Sequence, residues 1–221
     1  MPTLALFDLD HTLLSGDSDV LWCEWLMQEG VLDRATFEPR NAAMEAGYRA
    51  GSIGTHEFCG FYVSTLRGRS PAQWEPLRQR FLREEIVPRI PEAARVRVRA
   101  HQDAGDLLVM TTATNRVLTE LTAAHLGFEH LLATECELGA DGAYTGRLAG
   151  EPNMREGKVV RLHGWLAGQG LVLEELLSVA YSDSINDAPL LAAATRAVAV
   201  DPDPKLAAMA VERGWEVLRW R

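Results

Sequence analysis

The stretch that decides the fold is residues 4–12, Leu-Ala-Leu-Phe-Asp-Leu-Asp-His-Thr. Its first four residues are apolar and have the length of a buried strand. The run ends at Asp8, and Asp10 follows two residues later, so two carboxylates project from the loop after the strand. Like charges this close repel each other unless a cation or a proton lies between them. On this stretch alone, a second interpretation stays open, in which both aspartates simply cap the next turn.

Three further apolar runs also end in hydroxyl or carboxylate side chains. They are residues 107–110, which end at Thr111 and Thr112, residues 178–181, which end at Ser182 and Asp183, and residues 197–200, which end at Asp201. Segments with helical periodicity lie between them. Strands that alternate with helices predict an α/β fold, a three-layer sandwich with a mostly parallel central sheet. Ligands of such sheets bind outside the carboxyl ends of the strands, where these polar residues stand.

Residues 15–87 interrupt the alternation, because only helical patterns occur there. The helical stretches begin near residue 20 and continue at 33–50, 55–66 and 71–85. We interpret this segment as a small α-helical cap domain inserted into a discontinuous core, which comprises residues 1–14 and 88–221. Long insertions at the functional end of a strand commonly act as lids. Trp22 and Trp25 are candidates for the wall of the pocket beneath this cap.

Composition excludes several classes of function. The 221 residues include 22 basic and 31 acidic side chains, a net charge of −9, which argues against nucleic acid as a partner. No stretch approaches ~18 uninterrupted apolar residues, so we expect no membrane-spanning helix. The N-terminus lacks the features of a signal peptide, and the three cysteines show no CxxC spacing, so a cytoplasmic location is expected. A monomer and a homodimer are equally compatible with the sequence.

A second acidic pair follows the third apolar run. Asp183 ends the predicted strand, and Asp187 lies four residues on, where Pro189 is typical of a first helical turn. Helix capping is the alternative explanation for each aspartate. Four aspartates at two strand ends of one sheet are nevertheless typical of an Mg²⁺ site, since this cation prefers a few carboxylate or carbonyl oxygens plus water.

Two further residues are candidates for binding an anion at this edge of the sheet. Thr112 is preferred over its neighbour Thr111, since residues 112–114 then form the turn after the strand. Lys158 lies early in a predicted helix, where its charge opposes the helix dipole, as expected of a residue that serves an anion. A turn threonine and a surface lysine are the alternatives.

In chain order, DLDHT at residues 8–12, the strand ending in threonine, Gly157-Lys158 and SDSINDAPLL at residues 182–191 are similar to the four motifs of the haloacid dehalogenase-like superfamily. They most resemble its Mg²⁺-dependent phosphatases of the phosphoserine-phosphatase-like branch, which includes histidinol-phosphate phosphatases. The phrases ATNR, DGAYTGRL and EGKVVRL strengthen this likeness. The resemblance implies a Rossmann-like core. Ser182 departs from the pattern, because many members have glycine there.

The resemblance also implies a mechanism. Asp8 would be the nucleophile that forms an aspartyl-phosphate, and Asp10 would act as the general acid and base. Asp8, the backbone carbonyl of Asp10, Asp183 and Asp187 would hold Mg²⁺, with Asp187 bound either directly or through water. The expected substrate is a small phosphomonoester, such as phosphoserine or histidinol phosphate.

The remaining implied roles concern charge and substrate recognition. Thr112 and Lys158 would neutralise the phosphoryl oxygens, and Asn186 would orient Asp187 or Lys158. Asp17 falls where phosphoserine phosphatases carry an acid that holds the substrate amine; the alternative is that Asp17 caps the following helix. Arg49 or Arg67 could meet a substrate carboxylate, whereas histidinol phosphate would need neither.

Two other functions compete with this hypothesis. One is a phosphoacceptor regulatory protein, which uses the same acidic site without turnover. In such proteins the Thr and Lys follow the acidic residues along the chain, whereas here Thr112 and Lys158 precede the second acidic pair. The other is a metal-independent dehalogenase on the same fold, which would not need Asp10 or the pair Asp183 and Asp187.

Overall fold

The structure, a computed structural model, describes residues 2–50 and 52–221, apart from the side chain of Arg49. Its strands in chain order are β1 (Leu4–Phe7), β2 (Leu107–Asn115), β3 (His130–Thr134), β4 (Cys136–Leu138), β5 (Tyr144–Leu148), β6 (Ser178–Ser182), β7 (Arg196–Val200) and β8 (Glu216–Leu218). In the described part, six of them form one parallel sheet in the order β3-β2-β1-β6-β7-β8. The strands β4 and β5 form a separate antiparallel hairpin. The predicted α/β fold with its parallel sheet is confirmed.

The helices lie in two groups along the chain. They are α1 (Ser18–Gln28), α2 (Arg34–Arg49), α3 (Thr55–Val63), α4 (Pro71–Phe81), α5 (Glu92–Asp103), α6 (Arg116–His125), α7 (Glu156–Gly168), α8 (Ala188–Ala193) and α9 (Pro204–Arg213). The first four stand between β1 and α5 with no strand among the described residues there, as the helical patterns of this segment predict. Asp17 caps α1 and Asn115 caps α6, each by accepting a backbone N–H bond.

The core consists of two apolar layers on either side of the sheet. Successive side chains of a strand point to opposite faces, so β1 sends Ala5 and Phe7 into one layer and Leu4 and Leu6 into the other. All of these side chains are buried. A strand that is apolar on both faces therefore lies at the centre of the sheet, between β2 and β6.

Strand β2 differs from its sequence prediction. Residues 112–114 were expected to form a turn, but the strand continues to Asn115. The pairing register with β3 shifts between Thr111 and Asn115, which face Leu132 and Thr134 respectively. Two extra residues of β2 are thus accommodated in an irregular, bulged segment. Such irregularities redirect side chains at a strand end, and here they turn hydroxyls toward the loop after β1.

A cluster of buried aromatic rings joins α1 to α4. The indole of Trp22 stacks on Trp25 at 5.8 Å and contacts Trp74 at 5.5 Å and Phe81 at 5.0 Å between ring centroids. All four side chains belong to the same apolar layer as Phe7. The prediction that Trp22 and Trp25 wall a pocket is therefore wrong, because both indoles are used in packing the helical segment onto the sheet.

Arg78 of α4 is buried and pairs with Glu75 at 2.8 Å and with Glu120 of α6, which links the helical insertion to the sheet layer.

Among the described residues, no helix combines the length and the apolar character needed to cross a membrane.

Truncation of the aromatic cluster should destabilise the whole fold. We expect Trp22→Ala to lower the free energy of unfolding by about 3–5 kcal/mol, the usual cost of removing a large buried aromatic side chain. Urea denaturation followed by circular dichroism measures this difference. Val211→Ala is the matched control, since that side chain is 82% exposed and its loss should change stability by less than about 0.5 kcal/mol. Equal effects of the two substitutions would contradict the packing role of Trp22.

Candidate active site

A buried lysine stands at the centre of the candidate site. The Nζ of Lys158, in the first turn of α7, lies 2.7 Å from Oδ1 of Asp8 and 2.7 Å from Oδ2 of Asp187. The side chain of Lys158 is only 2% exposed. Burial alone would lower the pKa of this ammonium, but the charges of Asp187 and Asp8 outweigh burial and raise it, so Lys158 stays protonated. The two aspartates, which the sequence places after the carboxyl ends of strands, and Lys158 lie together in the structure.

Thr12 joins the first aspartate to the second acidic pair. Its Oγ1 lies 3.1 Å from Oδ2 of Asp8 and 3.0 Å from Oδ1 of Asp183, and it accepts the backbone N–H of Asp183. A hydroxyl has one proton, so it can donate to only one of these carboxylates at a time. Thr12 belongs to the DLDHT motif, but no role was expected for it from the sequence. Only its place four residues after Asp8, in a tight loop, could have indicated one.

The carboxylates carry more negative charge than Lys158 neutralises. Burial, reinforced by the charges of Asp187 and Asp10, raises the pKa of Asp8 to about 7, although Lys158 opposes this shift. Burial and the charge of Asp8 raise the pKa of Asp183 to about 8. Both carboxylates would ionise far more readily beside a cation.

The carboxylates of Asp8 and Asp183 fit Mg²⁺, whereas that of Asp187 is already hydrogen-bonded. Among the described residues, no three histidine, cysteine or acidic side chains already converge as a metal cluster. Asp8 and Asp183 do converge on Thr12, whereas Oδ2 of Asp187 is taken up by Lys158 and by the hydroxyl of Ser182 at 2.7 Å. One or two carboxylates suffice for Mg²⁺, which keeps several waters and takes substrate phosphate oxygens as ligands. Asp8 and Asp183 could therefore hold it directly.

Asp10 is held by hydroxyls from the bulged end of β2. Its Oδ2 accepts from the Oγ1 of Thr114 at 2.8 Å and lies 3.4 Å from that of Thr112, while its Oδ1 accepts the backbone N–H of Ser18 at 2.7 Å. The hydroxyl of Thr111 instead accepts from Asn153 at 3.0 Å. Thr112 is thus the hydroxyl of the pair beside Asp10.

Thr114 connects Asp10 to a second buried acid that the sequence analysis missed. The same Oγ1 lies 3.3 Å from Oδ2 of Asp19, and it accepts a hydrogen bond from Ser18 at 3.2 Å. Asp19 also accepts from the side-chain amide of Asn115 at 3.3 Å. Asp19 lies 95 and 96 residues from Thr114 and Asn115, so no local pattern indicates this contact.

Two polar residues near Asp187 take roles that the sequence analysis did not assign. Asn186 was expected to orient Asp187 or Lys158, but its Oδ1 accepts from Nε of Arg155 at 3.2 Å, and no described hydrogen bond joins its side chain to either residue. The hydroxyl of Ser182, the departure from the family pattern, donates to Asp187 instead. Ser182 therefore orients this carboxylate in the structure.

The site opens into a cavity of about 640 Å³ between the sheet edge and the helical insertion. Besides Asp8, Asp10, Asp183, Asp187 and Asp203, its wall carries four carboxylates from α1, its N-cap and α2, which are those of Asp17, Asp19, Glu24 and Glu45. Asp17 lines the cavity and also accepts the N–H of Val20 at 3.0 Å, so both interpretations of this residue are compatible with the geometry. One end of the cavity thus suits an anion, and the other suits a cation.

Magnesium should stabilise the folded protein through Asp183. We expect saturating Mg²⁺ to raise the melting temperature, because a ligand at 100 times its Kd stabilises the folded state by about 2.7 kcal/mol. Thermal unfolding with Mg²⁺ and with EDTA measures the shift. Asp183→Asn should abolish it, and Asp103→Asn, at the exposed end of α5, should leave it unchanged. A shift that survives in Asp183→Asn would contradict this ligand assignment.

The metal-free protein should lose stability as the pH rises from about 4 to about 8. The folded-state pKa values of Asp8 and Asp183 lie above the value of 3.8 for an unperturbed aspartate. The folded state therefore binds more protons than the unfolded state in this window, and stability falls with pH. Urea midpoints in EDTA at pH 5 and pH 8 measure the change, and Asp183→Asn should show a smaller one. A wild-type midpoint that falls no more than the variant's would contradict the raised pKa of Asp183.

Comparison with known proteins agrees with this geometry. The model of the haloacid dehalogenase-like hydrolase family matches residues 5–192. The chain is 36% identical over 222 residues to a histidinol-phosphatase of Neisseria meningitidis, with all of both chains covered. It is 32% identical over 225 residues to a phosphoserine phosphatase of Mycobacterium tuberculosis, covering 98% of this chain and 70% of the relative.

A solved structure shows the same fold over nearly the whole length. It is a protein of unknown function from Bordetella pertussis, with a TM-score of 0.94, 42% identity and 99% of each chain covered. The parallel sheet, the acidic strand ends and the family match lead to one conclusion: the chain belongs to the haloacid dehalogenase-like hydrolase family, in the branch whose named relatives are phosphatases.

Proposed function

We propose that this enzyme, a phosphoric monoester hydrolase, is an Mg²⁺-dependent phosphatase that acts on a small phosphomonoester carrying a protonated nitrogen group. The observation that carries the proposal is the buried ammonium of Lys158 between Asp8 and Asp187, in a cavity whose wall on α1 and α2 (the far wall) is acidic. A phosphate at Lys158 and a cation at the far wall would satisfy both ends.

Asp8 is the proposed nucleophile. Its carboxylate forms a bond to phosphorus while the bond from phosphorus to the substrate oxygen breaks, which leaves an aspartyl-phosphate. Asp10 gives a proton to the departing alkoxide and later takes one from the attacking water, which releases phosphate and restores Asp8. The hydrogen bonds from Thr114 and Ser18 hold the carboxylate of Asp10 in place for both transfers.

Charge on the phosphoryl group is the second requirement. Phosphoryl transfer depends mainly on positioning and on electrostatic stabilisation of the phosphoryl oxygens. Lys158 supplies a fixed positive charge, and the hydroxyl of Thr112 lies beside Asp10 to donate a hydrogen bond. Mg²⁺ held by Asp8 and Asp183, with Asp187 nearby, would offset the excess negative charge of the site and polarise the phosphoryl group.

The far wall favours an amino-alcohol phosphate over phosphoserine. Asp17 is the proposed partner of the substrate amine. Of the described side chains that line the cavity, none is an arginine. Arg155, at its edge, hydrogen-bonds to Asn186 and stands over the ring of Tyr48 instead. Arg67 is exposed and lies against Gly146 of strand β5, and the side chain of Arg49 is outside the described residues. The full-length relative named histidinol-phosphatase supports histidinol phosphate as the first substrate to test.

Two wider assignments belong to the same proposal. The division into a catalytic core of residues 1–14 and 88–221 and a cap of residues 15–87 places the anion end of the cavity on the core. The cation end lies on α1 and α2 of the cap. The three cysteines are free thiols, which suits a reducing compartment such as the cytoplasm.

Phosphate release tests the mechanism. With Mg²⁺, we expect turnover of histidinol phosphate to exceed that of phosphoserine, and Asp8→Asn to lower kcat by about 1,000-fold or more because the covalent route is closed. Asp103→Asn is the control and should match the wild type. Turnover that survives in Asp8→Asn would rule out this nucleophile.

Two other outcomes would favour the competing functions. A stable phosphoryl group on Asp8 without release would indicate the regulatory phosphoacceptor. Hydrolysis of an organohalide by the protein in EDTA, with no phosphate release from any ester, would indicate the dehalogenase.

A further inference from the structure

Asp19 is a buried acid for which the proposed mechanism has no use. It lies in the first turn of α1, is 7% exposed and lines the cavity. Its two described hydrogen bonds come from the neutral groups of Thr114 and Asn115, and both are 3.3 Å long. Burial, together with the charges of Asp17 and Asp10, raises its pKa. A buried carboxylate is costly unless a cation or strong donors accompany it, so this group lacks a partner of matching charge.

Tyr62 presents a second unsatisfied group to the same cavity. It lies on α3, its side chain is 1% exposed, and its enclosed hydroxyl has no hydrogen-bond partner among the described residues. Its ring contacts Phe58 at 5.1 Å and Phe61 at 5.2 Å in edge-to-face geometry, which fixes its position. Native proteins rarely leave a buried hydroxyl unpaired, so an unpaired one indicates a missing partner.

The two groups belong to one electrostatic environment. Burial raises the pKa of the Tyr62 phenol, and the charges of Asp19 and then Asp17 raise it further, so the hydroxyl stays neutral. A neutral phenol and a carboxylate can both accept hydrogen bonds. The missing partner is therefore a group that donates hydrogen bonds and carries positive charge, which describes a protonated nitrogen.

A single nitrogen group on the substrate could not pair with both Asp17 and Asp19. Asp17 is more exposed than Asp19, and Glu24 and Glu45 add further negative charge around the cavity. Aromatic rings of Tyr48 and Phe58, whose centroids are 4.2 Å apart, stand in the same wall. A flat nitrogen ring packs well against aromatic faces, and its charge is attracted to them. A substrate with an amine at Asp17 and a second, planar nitrogen group would use all of these features.

We propose that Asp19 and Tyr62 form a second cation-recognition site, which binds a planar, protonated N–H group of the substrate in addition to the amine held by Asp17. The inference rests on the proposed phosphatase function and narrows its substrate to esters with two nitrogen groups. Asp19 and Tyr62 act here as specificity residues: they contact the organic end of the substrate and take no part in the chemistry at phosphorus.

Three esters separate this site from the reaction itself. Histidinol phosphate carries an amine and an imidazole, phosphoethanolamine carries only an amine, and p-nitrophenyl phosphate carries neither. We expect Asp19→Asn to lower kcat/KM for histidinol phosphate by about 10- to 100-fold, the range for a hydrogen bond to a charged group. Tyr62→Phe should lower it by about 3- to 10-fold. Both variants should hydrolyse the other two esters within about 3-fold of the wild-type rate.

Matched controls and a binding measurement guard against misfolding. Asp103→Asn and Tyr144→Phe change the same residue types away from the cavity and should leave all three rates unchanged. Calorimetry with histidinol, which has no phosphate, should show binding to the wild type that Asp19→Asn weakens by a similar factor. Unchanged melting temperatures establish that both cavity variants remain folded.

The possible failures are distinguishable. If no ester is hydrolysed but histidinol binds through Asp19, the proposed phosphatase function is wrong and the cation site stands. If all three esters are hydrolysed and Asp19→Asn slows them equally, or slows none, the second cation site is wrong and the phosphatase function stands.

Discussion

The ion pairs of Lys158 with Asp8 and Asp187 are the interaction on which the rest of the site depends. A buried ammonium is tolerated only when opposite charges and hydrogen bonds replace the water it has lost. Here the carboxylates come from the end of β1 and the start of α8, so one side chain ties three separate parts of the chain together. Gly157 lets the first turn of α7 lie against the preceding loop, because a Cβ there would lie 2.5 Å from the carbonyl oxygen of Pro152.

The same arrangement explains how an acidic protein can bind a phosphate ester. The net charge of −9 opposes an anion at long range. Within the cavity, Lys158 and a cation at Asp8 and Asp183 would reverse the local field, since bound cations are the largest charges in such sites. In the proposed function, the carboxylates of the far wall would act on the positively charged end of the substrate. Charge alone would then orient such a substrate in the cavity, before any shape is recognised.

Sequence reasoning succeeded where strand ends imposed the geometry. Asp8, Asp183 and Lys158 come together because parallel strands deliver their carboxyl ends to one edge. It failed where side chains meet through tertiary packing. The contact of Asp19 with Thr114 needs both the helical insertion and the bulge in β2. No period in the sequence encodes either, and strand boundaries are the least reliable part of such predictions.

A related limit applies to the apolar residues. The spacing of Trp22 and Trp25 identifies one face of α1, but it does not say whether that face meets a cavity or another helix. That face meets another helix because Trp74 and Phe81 of α4, about fifty residues later in the chain, pack against Trp22. Edge strands β3 and β8 were missed for a similar reason, because neither carries the continuous apolar run of a central strand.

The hydroxyl of Thr114 has a consequence for how this enzyme could be altered. Its single proton can be donated either to Asp10 or to Asp19. The same oxygen accepts a hydrogen bond from the hydroxyl of Ser18. The hydrogen bond to Asp10 is the shorter of the two, 2.8 Å against 3.3 Å, so a neutral side chain in place of Asp19 leaves that proton with Asp10. The contact that positions Asp10 therefore does not depend on the charge of Asp19. Divergence or redesign could change the acid that meets the organic group without a compensating change at position 18 or 114.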